Sequence, residues 1–179
     1  MVRIPFTLIL KGGLVMKKLI AVCFAVTFFA FGVAAEEKAA DKAAPAMDHT
    51  VVTPADTQWQ DAPPVLPAGA KIAVLKGDPS KEGIFVIRLM APAGSKVMPH
   101  WHPTSENVTV ISGELHIGMG DKFDKTKGVT VPVGGFISIA PMMHHYAWME
   151  TETVVQIGGM GPFQLIYVNP KDDPSRKKK

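Results

Sequence analysis

Beyond residue 50 the chain is a series of short apolar-rich runs separated by Gly, Pro, Asp and Ser. "KIAVLK" (71–76) leads into the turn "GDPSKEG", and "IFVIRLM" (84–90) leads into "APAGS". Then follow "KVMPHWH", "NVTVIS", "ELHIGMG", the loop "DKFDKTKG", "VTVPV", "GFISIA", "HHYAWME", "TVVQI" and "FQLIYV". Within several of them, "NVTV" and "ELHIGM" for instance, apolar and polar residues alternate, as on a strand with one buried face. No run longer than about ten residues carries a helical period. Many short strands with turn signals between them predict an all-β domain, a sandwich or a barrel.

The first 50 residues follow another pattern. From Met16, basic Lys17 and Lys18 precede an apolar run over residues 19–31 and then small residues. Val33 and Ala35 suit a signal-peptidase site, so residues 1–35 are expected to be a secretory signal region, with Glu36 the first mature residue. The apolar run is short of the about 20 residues a membrane span needs, so no stable span is expected after cleavage. Cys23 is not read as a lipid-attachment site, because Val22 stands where a small residue is wanted. Lys11-Gly12-Gly13 can be encoded by a ribosome-binding purine tract, which places the expected translation start at Met16. A periplasmic or secreted location follows. Residues 36–50, "EEKAADKAAPAMDHT", read as a flexible linker. The barrel is expected over 51–168, with a flexible basic tail over 169–179.

Charge looks different once the leader is set aside. The whole chain carries 19 basic and 16 acidic residues and a pI near 9.0. Arg3, Lys11, Lys17 and Lys18 lie in the leader, leaving 15 basic residues against 16 acidic ones, a net charge of −1. Only the tail Arg176-Lys177-Lys178-Lys179 is strongly basic, so nucleic acid is not an expected partner. Cys23 is the single cysteine, so the mature chain has no disulfide or thiol chemistry.

Candidate chemistry is concentrated in "GSKVMPHWHPTSENVTVISG", residues 94–113. Side chains alternate faces along a strand, so His100 and His102 point the same way, Met98 with them and Trp101 away. "PTSE" reads as a tight connection. The chain then returns on a neighbouring strand with Glu106 facing the same interior. Two imidazoles and a carboxylate converging there suit a divalent metal. "APMMHHYAW" offers a fourth ligand, and only one of His144 and His145 can face inward. His145 is expected, with Tyr146 outward and Ala147 inward; a shifted register would place His144 there instead. The nitrogen and oxygen set suits Fe, Mn, Ni, Co or Zn. Met98, Met142 and Met143 nearby raise copper as the lesser alternative, since methionine also serves as core filler.

The pocket beside the metal is expected to be apolar, lined by Met98, Val108, Val110, Leu115, Ile117 and Ala147. No second acid, Ser–His pair or positioned lysine is found, so no catalytic residue is assigned. His116, opposite in phase to Leu115 and Ile117, is expected on the outer face. Trp101, Tyr146 and Trp148 form an aromatic set that suits either a homodimer seam or packing beneath a loop.

Residues 94–113 match the motif G-x5-H-x-H-x3-E-x6-G of the cupin superfamily at Gly94, His100, His102, Glu106 and Gly113. The second motif, G-x5-P-x-G-x2-H-x3-N, is met at Gly134 and His145. Ala140, Met142 and Met149 stand where Pro, Gly and Asn are usual. The chain thus resembles the small, exported, single-domain cupins. That resemblance implies a double-stranded β-helix, the RmlC-like jelly roll, with one divalent metal inside the barrel. The expected function is action on a small oxygen-bearing molecule, as an oxygenase or an isomerase-type enzyme. The alternative is a non-catalytic periplasmic protein that binds or senses a metal or small ligand.

Overall fold

The computed structural model describes residues 49–176. The signal region and nearly all of the linker read from the sequence lie outside these residues. The strands are β1 (Gln60–Asp61), β2 (Lys71–Lys76), β3 (Gly83–Ala91), β4 (Lys96–Trp101), β5 (Glu106–Ser112) and β6 (Leu115–Met119). After them come β7 (Val129–Val131), β8 (Phe136–Ile139), β9 (His145–Trp148), β10 (Thr153–Gly161) and β11 (Ile166–Tyr167). One sheet runs β1-β2-β3-β10-β5-β8 and the other β11-β4-β9-β6-β7, and every pairing is antiparallel. From β4 to β10 the chain crosses repeatedly between the two sheets, which makes the jelly roll.

Alternation builds the core. On β3, Phe85, Ile87, Leu89 and Ala91 are buried, whereas Val86, Arg88 and Met90 between them are only partly so. Val108, Val110, Val155 and Ile157 join them from one sheet; Val97, Leu115, Ile117 and Ala147 face them from the other. Two apolar faces closing on each other remove this surface from water, the main stabilising term at about 25 cal/mol per Å².

Several elements differ from the sequence reading. "TVVQI" continues through Gly158–Gly161 as one strand, because β10 is central and bonds to β3 and β5 on either side. "FQLIYV" gives only the short β11, and the residues before it form a loop. Pro170–Asp172 and Pro174–Arg176 make two 3₁₀ turns, with Asn169 and Asp173 side chains accepting from the amides of Lys171 and Ser175. Among the described residues no helix is long and apolar enough to cross a membrane.

Tyr146 points away from the cavity that Ala147 lines, as expected, but it is covered and not exposed. It is fully buried, and its hydroxyl donates to the Asp124 carbonyl at 2.8 Å. Phe123 packs against Tyr146 and Trp148 with ring centroids 5.2 and 5.7 Å away. The loop between β6 and β7 therefore roofs Tyr146 and Trp148. Gly118 permits the approach, since a Cβ there would stand 2.3 Å from the Tyr146 ring.

Candidate metal centre

His100 lies near the end of β4 and pairs across the ladder with His145, the first residue of β9. His102 follows β4 directly. Glu106 opens β5, so it comes from the opposite sheet, across the sandwich, and not from a strand neighbouring β4 as the sequence reading had it. All four side chains are buried, at 3–7 % exposure for His102 to Glu106 and 1 % for His145.

The bulge in β4 decides which neighbours share the site. Val97 pairs with Ala147 and His100 with His145, so three steps of β4 match two of β9. A bulge of this kind inverts the alternation beyond it. Val97 consequently lines the interior with the histidines, and Met98, placed there by strict alternation, does not. Met98 is partly buried against the core instead.

The three imidazoles each bring a ring nitrogen within 4.8 Å of the others. In every case Nδ1 faces a backbone carbonyl: His100 that of Met98 at 2.8 Å, His102 that of Gln164 at 2.7 Å, His145 that of Met143 at 2.9 Å. A carbonyl only accepts, so each Nδ1 carries the hydrogen and donates. The lone pair of each neutral ring is left on Nε2. Glu106 Oε2 lies 3.5 Å from Nε2 of His102 and 3.3 Å from Nε2 of His145, and neither nitrogen has a hydrogen-bond partner. Buried lone pairs thus face a buried carboxylate, an arrangement that is unfavourable without a cation. Three nitrogens and one oxygen are a donor set that fits a divalent transition metal, and the Nδ1 bonds are the supports that orient metal-binding histidines.

The electrostatics agree. Burial, with the neighbouring His145 and His102 adding to it, pushes the His100 pKa down to about 3, so its ring is neutral at physiological pH. A neutral ring is the ligand form a metal needs.

The remaining histidines stand elsewhere. His144 is half-buried at the surface, with Nδ1 2.5 Å from Asp121 Oδ1, so the shifted register does not occur. His116 stacks on Trp148 and contacts Thr130 and Glu114 on the outer face. Met142 and Met143 are exposed, at 57 % and 45 %.

A cavity of about 180 Å³ adjoins the histidines. Val108, Leu115, Ile117 and Ala147 line it. Val110 does not: it is fully buried deeper in the core. Wall residues that the sequence did not point to come from two loops. Pro63, Val65 and Leu66 precede β2, with the Val65 carbonyl accepting from the Tyr167 hydroxyl at 2.8 Å. Phe163 and Leu165 follow β10; Phe163 stacks on His102 with centroids 4.3 Å apart, and its amide donates to the Pro79 carbonyl. An aromatic residue next to Gly161-Pro162 was the available sequence signal for this loop.

A family model described as a domain of unknown function, DUF4437, matches residues 32–165, well over half of the chain. The chain is a cupin of the DUF4437 family. No curated protein matches this cupin in sequence. Its fold is similar to that of the polyketide cyclase RemF from Streptomyces resistomycificus, at 14 % identity and a TM-score of 0.58, covering 72 % of this chain and 91 % of that one. It is also similar to a candidate acetylacetone dioxygenase from Methylibium petroleiphilum, at 18 % identity and a TM-score of 0.55, covering 72 % and 86 %. A third is the DMSP lyase DddQ from Ruegeria pomeroyi, at 16 % identity and a TM-score of 0.52, covering 65 % and 64 %. At these identities the likeness concerns the cupin fold.

Proposed function

We propose that this cupin is an exported, metal-dependent enzyme that acts on a small oxygen-bearing molecule, of oxygenase or isomerase type. One observation carries the reading. Two buried Nε2 lone pairs, fixed by Nδ1 bonds to the backbone, face the Glu106 carboxylate with no hydrogen between them. His100, His102, His145 and Glu106 would hold one divalent metal, Fe, Mn, Ni, Co or Zn, with coordination positions left open toward the cavity. When bound, such a metal supplies Lewis acidity or redox chemistry to an oxygen ligand.

The chain's own residues do the rest. The Nδ1 bonds fix the rings, Phe163 holds the His102 plane, and the apolar walls exclude water and strengthen every polar interaction inside. The structural relatives include a cyclase, a lyase and a candidate dioxygenase, which supports an enzymatic reading of this fold without selecting the reaction. A second reading, binding or sensing without turnover, draws on one observation: among the described residues the cavity wall offers no acid–base group beyond the four ligands.

Elemental analysis of the protein purified from its exported fraction tests the proposal, beside His102→Ala and Glu106→Gln. Near-stoichiometric metal in the parent, lost in both variants with strand content unchanged by circular dichroism, is the expected result. A metal-free parent that remains metal-free after incubation with each of the five ions refutes it. Metal without turnover across oxygenase and isomerase screens favours the second reading.

A further inference from the structure

The cavity is polar at one end only. His100, His102, His145 and Glu106 supply that end, and every other described lining residue is aliphatic, proline, methionine or phenylalanine. Along β10, Gly159 pairs with Glu106 and Val155 with Val110, so the wall runs four residues inward from the carboxylate. At about 3.3 Å per residue this is about 13 Å. Leu89, Leu115, Met149 and Val155 line the far end. No lysine, arginine, amide or hydroxyl is placed there to receive a second polar group.

We propose that the ligand of this site is a head-and-tail molecule: vicinal or 1,3-related oxygens at one end, which chelate the metal, and an uncharged hydrocarbon body filling the rest. The inference rests on the metal reading above and adds the substrate class. Sugars, polyols, amino acids and distal carboxylates or phosphates are disfavoured by this lining. Each would leave a hydroxyl unpaired or a charge desolvated against aliphatic walls, which costs several kcal/mol for a charge. Discrimination thus comes from the wall, and chelation is common to all.

The test uses two probes with the same chelating head, 4-methylcatechol and 3,4-dihydroxybenzoate. They are titrated calorimetrically into the full-length, zinc-loaded protein, whose metal content is measured first. The methyl compound is expected to bind on the order of 100-fold tighter or more, from the distal carboxylate's desolvation. Ala147 lines the cavity between its ladder partners Val97 and Ile117, so Ala147→Leu, with Ala147→Val as a milder step, is expected to weaken 4-methylcatechol in graded fashion while zinc is retained. Equal binding of the two probes, or binding of neither by zinc-loaded protein, overturns the substrate class and leaves the metal reading standing. Failure to take up zinc or any of the other four ions overturns both. Unchanged 4-methylcatechol affinity in a zinc-retaining Ala147→Leu protein also overturns it, since the ligand would then lie outside the cavity.

Discussion

Acid should unfold the metal-free protein through His100. The buried ring has a pKa of about 3 in the folded protein against an ordinary 6.5. Between those values the unfolded chain binds one proton more than the folded one. Stability therefore rises with pH across this window; the contribution is complete above pH 6.5 and disappears as pH falls toward 3. One proton corresponds to about 1.4 kcal/mol per pH unit, or about 2 kcal/mol between pH 6.5 and pH 5. Small domains hold only about 5–15 kcal/mol in all, so the effect is large enough to measure. Urea unfolding of chelator-treated protein at intervals from pH 7.5 to pH 5 gives the slope. His100→Asn, whose amide can still donate to the Met98 carbonyl, should lower that slope by about 1.4 kcal/mol per unit. Equal slopes in parent and variant would refute the reasoning.

Other perturbations have effects of comparable size. Glu106→Gln should fold and lose metal affinity by at least about tenfold in a chelator competition, because the charge opposite the Nε2 atoms is gone. Tyr146→Phe leaves the Asp124 carbonyl without its donor under the β6–β7 loop and should cost about 1–3 kcal/mol, read as a lowered urea midpoint with unchanged metal content. Gly113→Ala should cost about 2 kcal/mol or more. The backbone there has φ 74°, and a Cβ would stand 2.4 Å from the Glu152 carbonyl oxygen.

The parts of this site that the sequence made legible are those that depend on the chain's local period. His100 and His102 share a face because they are two apart, and Glu106 turns inward because it opens the next strand. His145 lies inside and His144 outside by the same alternation. What failed had non-local causes. The bulge that exchanges Met98 for Val97 exists only in the pairing of β4 with β9. Glycines at 158, 159 and 161 read as a strand end, yet ladders on both sides carry β10 through them. The loop holding Phe163 and Gln164 looked like strand in "FQLIYV". Its contribution to His102 includes a backbone carbonyl, which any residue supplies and no sequence pattern marks.

The division of the proposed ligands between sheets would give a bound metal a structural consequence. His100, His102 and His145 belong to the β4–β9 side, and Glu106 to the β5 side. A bound ion would therefore join the two layers at the end where the chain crosses from β4 to β5. The second layer of contacts makes the same crossing, since the Gln164 carbonyl that fixes His102 lies in the loop from β10 to β11, one strand in each sheet. Without a cation, a buried carboxylate confronts two buried lone pairs, and the fold tolerates that only because hydrophobic closure elsewhere outweighs it. With a metal at about 100 times its dissociation constant, mass action alone adds about 2.7 kcal/mol. The same ion that would meet the substrate would then also hold the sandwich shut, so a chelator should loosen the loop carrying Phe163 before it unfolds the barrel.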